Sequence, residues 1–258
     1  MARIVVDSLQ RYPVKGLSPE RLRSADLMPG ETLQADRAFA VENGPSGFEP
    51  EAPSWMPKVK FLCWMKNPKL ARLRTRYDDA TGLLTVESEA GGVTGDLGTP
   101  HGREVVEDFL SAFMADEKRG PLRVLSSPGH SFSDVAKRVV SFINLASSEE
   151  IGRALGAEID PIRFRGNVHL SGLAPWAEAT WVGKKFQIGD ARFKVVKTIQ
   201  RCLATHVDPA RGVRDLDVMG TIRDSRGDLD CGIYAEVIAP GTISEGDELR
   251  LVQSEIGL

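Results

Sequence analysis

Apolar positions in this chain recur mostly in short runs rich in β-branched and aromatic residues, cut by Gly, Pro and Asp/Asn turns, a pattern that predicts many short strands and few helices. Residues 4–10 predict a strand that ends at Arg11-Tyr-Pro-Val-Lys-Gly-Leu17, where Pro13 and Gly16 impose a turn carrying Lys15. Further strands are predicted over 21–28, 38–42, 70–77 and 83–87, the last two forming a hairpin around Asp78-Asp-Ala-Thr-Gly82. Residues 45–58 hold four prolines and read as an extended surface loop. Two segments change period. Over 102–114, Val105, Val106, Phe109, Leu110, Phe113 and Met114 fall at helical spacing, and Ser147-Ser-Glu-Glu150 offers a capping box for a short helix over 151–155, stopped by Gly156. Strand signal then dominates over 164–170, 181–188, 191–199, 233–238 and 248–252, with Gly189-Asp190 and Gly246-Asp247 at hairpin corners. The glycine-rich stretch 91–98 lacks the Gly-Lys-Ser/Thr ending of a phosphate loop and reads as a flexible loop. The fold class this predicts is β-rich, mixed α+β, with β-barrel architecture and a few short helices.

Composition narrows the function. The 258 residues, 41% apolar and 27% charged, suit a globular protein of one large or two smaller domains. With 33 basic against 36 acidic residues the net charge is -3, so no global positive field gathers nucleic acid or an anionic membrane, and any anion must meet a local basic cluster. Three cysteines, Cys63, Cys202 and Cys231, are too few and too far apart for a disulfide framework, a Cys-x-x-Cys zinc site or an iron–sulfur cluster. The N-terminus reads as a strand without the apolar core of a signal peptide, and no apolar run approaches the length of a membrane span, so a reducing cytoplasm is the expected location.

Candidate chemistry centres on 197–213. Cys202 directly follows Arg201 at the end of a strand-like run and precedes a polar turn with His206, Asp208, Pro209 and Gly212, a place both rigid and reachable. From spacing alone its reactive and structural readings both stay open. Cys63, inside Phe61-Leu-Cys-Trp-Met65, and Cys231, at a strand start, read as small buried hydrophobes. Lys15, Arg37, Arg165 and Arg201 each sit at a strand edge or turn and can hold phosphate if they converge, or be simply solvated if they do not. His206 and Asp208 can activate a thiol, but a hydrogen-bonded loop histidine is the simpler reading. His101, His130 and His169 lack ligand spacing.

Six motifs stand in order: Arg11-Tyr-Pro-Val-Lys-Gly16, Asp36-Arg37, Ser133-Asp134, Phe164-Arg-Gly-Asn167, Arg201-Cys202 with Val207-Asp-Pro209, and Ile233-Tyr-Ala-Glu236 with 240–247. Together they resemble the molybdenum cofactor sulfurase C-terminal (MOSC) domain preceded by its N-terminal β-barrel domain, and are similar in particular to the amidoxime-reducing molybdenum enzymes of mitochondria and their bacterial counterparts. The resemblance implies an N-terminal barrel-like domain over 1–125, a MOSC domain over 126–258, and molybdenum–molybdopterin in the cleft between them. It implies that Cys202 ligates molybdenum, with Asp134 beside it in the catalytic set. It further implies that Lys15, Arg37, Arg165 and Arg201 surround the pterin and its phosphate, while Asn167 and Tyr234 line the same pocket. The implied activity is reduction of a small N-hydroxylated or N-oxidised substrate, with electrons from a separate donor protein because the chain has no cysteines for a cluster. Gly16, Gly166 and Gln200 depart from the serine, proline and serine of the mitochondrial relatives, so cofactor contacts are expected to differ in detail. Two alternatives share the implied site: persulfide sulfur transfer through Cys202, and non-enzymatic carriage of the cofactor.

Overall fold

The computed structural model describes residues 3–252. Seven strands close into a barrel in the order Val168–Ser171, Val140–Asn144, Asp230–Ala239, Ala191–Gln200, Lys185–Ile188, Glu248–Val252 and Ile4–Arg11, the last pairing back onto the first. All neighbours are antiparallel except Val168–Ser171 with Val140–Asn144. Alternate residues point inward, so Phe142, Phe186 and Phe193 meet in the interior with ring centroids 4.9 to 5.3 Å apart. The strand Ile4–Arg11 completes a barrel whose other six strands lie between residues 140 and 252, and Ser24–Leu27 likewise pairs with Gly241–Ser244. Within the described residues no helix is long and apolar enough to cross a membrane.

A second core lies between these N-terminal strands and the barrel's remaining sequence. There Phe39–Asn43 pairs with Leu122–Ser126, and a meander of Arg74–Tyr77, Leu83–Ser88 and Gly91–Asp96 packs with helix α1 (Pro100–Phe113) around Trp64, Leu84, Val106 and Leu110. The β-rich class with few helices is borne out: α1, α2 (Leu145–Leu155) and α3 (Val218–Arg226) are the three α-helices among the described residues.

Local chemistry explains where elements differ from expectation. The glycine-rich stretch is a strand rather than a flexible loop. A Cβ at Gly95 would strike the Gly102 carbonyl, and one at Gly102 would strike Asp96, so the glycines let α1 lie against the strand. Helix α2 starts earlier than the capping box predicts. Asn144 is its N-cap, accepting from the Ala146 N–H, while Ser147 is buried inside the helix and bonds Glu178. Three predicted strands are shortened by 3-10 turns at Pro68–Arg72, Pro161–Phe164 and Ala177–Trp181.

His169 faces the outer side of the barrel under α2, because its neighbours Val168 and Leu170 point into the core. Its Nδ1 shares a 3.0 Å hydrogen bond with the Ser8 hydroxyl, and burial pushes the imidazole down to about 4, with Asp160 opposing. Between about pH 6.5 and about 4 the unfolded chain binds this proton and the folded chain does not, so stability falls as pH is lowered through that window, by roughly 3 kcal/mol at completion. His169→Gln removes the titration. Urea unfolding of both proteins at pH 7.5 and pH 4 is expected to show the variant losing less stability by that order; equal losses would mean the imidazole is not held neutral.

Candidate functional site

The chain brings its basic turns together at one end of the barrel. Lys15 follows a bridge between Val14 and Phe39, with its N–H donating to the Phe39 carbonyl at 2.8 Å. Gly16 next to it has φ +82°, and a Cβ there would collide with the Leu62 carbonyl, so only glycine lets this turn lie against 61–65. Arg37 and Arg165 are both non-glycine residues in the left-handed region, at φ 55° and 51°. Such backbone costs about 1–3 kcal/mol per residue and persists only where surroundings over-determine it. Here Arg37 Nη2 donates to the Arg165 carbonyl at 3.0 Å, its N–H donates to the Tyr12 carbonyl at 2.7 Å, and Asp36 Oδ1 accepts from the Tyr12 N–H at 2.8 Å. Both guanidinium groups lie over the Tyr12 ring, at 4.8 and 4.3 Å, and Arg165 also lies 4.6 Å from the Trp64 ring.

Cys202 follows the strand Ala191–Gln200 and is half-buried. Lys58 Nζ stands 3.3 Å from its Sγ and 3.0 Å from Asp134 Oδ2, while Lys15 Nζ bonds Asp134 Oδ1 at 2.5 Å and the Phe132 carbonyl at 2.8 Å. Asp134 thus bridges two lysines. Burial raises its carboxyl, but Lys15 and Lys58 outweigh that and hold it well below the usual carboxylate range, so it is an anion near neutral pH and accepts rather than donates a proton. For Lys58, burial works against the charge, yet Asp134 and Cys202 prevail and push the ammonium up. Lys15 is pulled down by burial, with Asp134 opposing.

A cavity of about 490 Å³ opens here, lined by Lys15, Arg37, Asp134, Arg165, Arg201, Cys202 and Tyr234. Asn167 stands behind its wall. It is buried and ties the Ser141 N–H and hydroxyl to the Gln10 carbonyl, joining two barrel strands. Arg201 spends its side chain on the carbonyls of Cys231 and Phe164, which makes it a brace for the loop carrying Cys202. His206 points elsewhere: its Nε2 accepts from the Met219 N–H at 3.2 Å, and Asp208 accepts from Ala210, Arg211 and the Arg211 side chain, so no Cys-His-Asp set forms. Cys231 is buried, and burial pushes its thiol up to about 12; Cys63 is buried at the cavity wall. Sequence reasoning missed Lys58, Trp64 and Lys197 in this cavity. Lys58 ends the proline-rich loop, where no periodicity marks an inward residue.

The donor set fits an anionic group carrying a soft metal. Arg165 Nη1 is buried with no hydrogen-bond partner, although Nη2 donates to the Leu17 carbonyl at 2.9 Å, so one amino group of the guanidinium beside the cavity is unspent. Burial pulls the Arg165 guanidinium down to about 10, and it remains cationic at neutral pH. Among the described residues no group of three or more His, Cys, Asp or Glu gathers as a metal cage, and a metal here would take Cys202 as a thiolate ligand alongside ligands it brings.

The MOSC N-terminal beta barrel domain model matches residues 3–117 and the MOSC domain model matches 127–250. Mitochondrial amidoxime-reducing component 1 of Mus musculus is 31% identical over 134 residues, 47% of this chain and 38% of that protein. Molybdenum cofactor sulfurase of Caenorhabditis elegans is 35% identical over 96 residues, 36% of this chain and 13% of that protein. The matches thus span well under half the length of these relatives. Among solved structures, the YUAD protein from Bacillus subtilis aligns over 96% of this chain and 97% of its own, at 13% identity and a TM-score of 0.47.

Proposed function

Because the chain belongs to the MOSC family, carrying a MOSC N-terminal β-barrel domain followed by a MOSC domain, we propose that it binds molybdenum–molybdopterin in the Cys202 cavity and reduces N-hydroxylated or N-oxidised substrates. The observation that carries the reading is the half-buried Cys202 thiol beside a cavity walled by Lys15, Arg37 and Arg165, with the Arg165 Nη1 amino group unspent. Arg165, Lys15 and Arg37 would hold anionic groups of the cofactor, and Cys202 would hold the metal. When bound, the cofactor supplies two-electron redox chemistry. Reduction of an N–OH group breaks the N–O bond, consumes two electrons and two protons, and releases water. The electrons come from a separate donor protein. Lys58 keeps a proton on Nζ, 3.3 Å from Cys202 Sγ, and Asp134 fixes both lysines, so the chain orients charge around the thiol without itself changing oxidation state.

Protein produced in a host that makes the cofactor is expected to contain molybdenum and phosphate-bearing pterin in comparable amounts, and to reduce benzamidoxime when a chemical electron donor is added. Elemental and pterin analysis finding neither would overturn the reading. Cofactor present without turnover would favour carriage. The proximity of Lys58 to Cys202 also suits an anionic sulfur, as persulfide transfer requires; molybdenum-free protein that accepts and passes on labelled sulfur would favour that alternative.

A further inference from the structure

A second cavity, of about 940 Å³, lies between α2 and the outer face of the strands Ile4–Arg11 and Val168–Ser171. Its floor holds Ser8, Gln10, Ser148 and His169, all buried. Two of these are unspent. His169 is 2% exposed and Ser148 is 2% exposed, yet His169 Nε2 and Ser148 Oγ have no hydrogen-bond partner among the described residues. A buried polar group left unpaired costs about 1–3 kcal/mol, and two on one cavity wall call for an occupant. The ring is not free to turn away, since Ser8 Oγ holds Nδ1 at 3.0 Å and leaves Nε2 as the unengaged edge.

We propose that this cavity is a second small-molecule site, taking an uncharged ligand whose carboxamide-like edge bonds His169 Nε2 and Ser148 Oγ while its apolar body rests on Ile159 and Ile162. Charge decides the class. The floor carries no ionised side chain, because burial keeps the His169 imidazole neutral at physiological pH. The charged residues lining the cavity are of both signs, Asp7, Glu149 and Glu158 against Arg21 and Arg153, and all five are exposed. An anion on the floor would lose water without gaining a buried cation, and a cation would find no buried carboxylate. A neutral carboxamide avoids both costs. It offers an acceptor and a donor together, which matches an imidazole nitrogen of either tautomer beside a hydroxyl able to play both roles; Gln10 adds a further amide to the floor.

This site is separate from the Cys202 cavity, although the turn Pro161–Phe164 serves both: Pro161 and Ile162 line the second cavity, Arg163 and Phe164 the first. The proposal therefore does not depend on molybdenum chemistry.

The test uses benzamide as probe, with benzoate and benzylamine as charged controls, on the full chain, with affinity read for every protein by titration calorimetry and, where His169 is present, contact read by the ¹⁵N shifts of its ring. Benzamide is expected to bind saturably and move the Nε2 resonance, with benzoate and benzylamine at least tenfold weaker. His169→Phe and Ser148→Ala are each expected to weaken benzamide at least fivefold, the serine variant serving if the histidine variant does not fold. Cys202→Ala should bind benzamide as wild type does, which separates this site from the other cavity. Absence of saturable binding up to the solubility of benzamide, ordered water alone on Nε2 in a crystal soaked with it, or undiminished binding by Ser148→Ala would overturn the proposal.

Discussion

Turnover of benzamidoxime by Cys202→Ala protein is expected to fall at least about a hundredfold, to background, while most of the pterin stays bound. Loss of groups that merely orient a metal ligand costs 10–100-fold in affinity or activity, and this substitution removes the ligand itself. Retention follows from the geometry. Lys15, Arg37 and Arg165 are positioned by Phe39, Tyr12, Asp36, Asp134 and Leu17, none of which depends on the thiol. The fold should be nearly unaffected, because Cys202 is half-buried at a strand end and lies outside the hydrophobic clusters. Pterin content, molybdenum content and rate are measured side by side. Near wild-type turnover by the variant would end the metal-ligand assignment.

Arg165→Ala is expected to act on retention, weakening cofactor binding about ten- to a hundredfold, the equivalent of losing a charge-assisted hydrogen bond worth roughly 1.5–3 kcal/mol. Arg165 has its Nη1 amino group buried and unpaired at the cavity, and its ring contacts with Tyr12 and Trp64 hold the guanidinium in place before any ligand arrives. Arg165→Lys keeps the charge but not the planar fork, so it should fall between alanine and wild type. The readout is pterin remaining after dialysis of equal amounts of protein. Unchanged retention in Arg165→Ala would show that the unspent amino group does not face the cofactor.

How much of this was legible beforehand varies by residue, for physical reasons. The strand Ala191–Gln200 and helix α1 follow from period-2 and helical apolar spacing, which report burial directly. The lone arginine–cysteine pair after that strand singled out Cys202 as reachable but left its reactivity open, because a thiol's environment is built by distant segments. Lys58 is the clearest case: 144 residues separate it from Cys202, and nothing in Pro57-Lys58 signals that its ammonium reaches a thiol. His206 and Asp208, near Cys202 in sequence, are consumed by the N-terminus of α3 and by their own loop, in keeping with the simpler reading of a hydrogen-bonded loop histidine.

The sequence by itself determined the β-rich class, the turn bearing Lys15, and the placement of the cysteine at a strand end, because these depend on local apolar periodicity and on where glycine and proline break it. Tertiary structure alone decided that the first strand closes a barrel otherwise built from 140–252, that Asn167 and Arg201 brace the wall, and that Lys58 and Asp134 complete the charge around Cys202. The reason is that barrel closure and ion pairing join residues far apart in the chain, and their energies come from desolvation and contact geometry that no local pattern encodes.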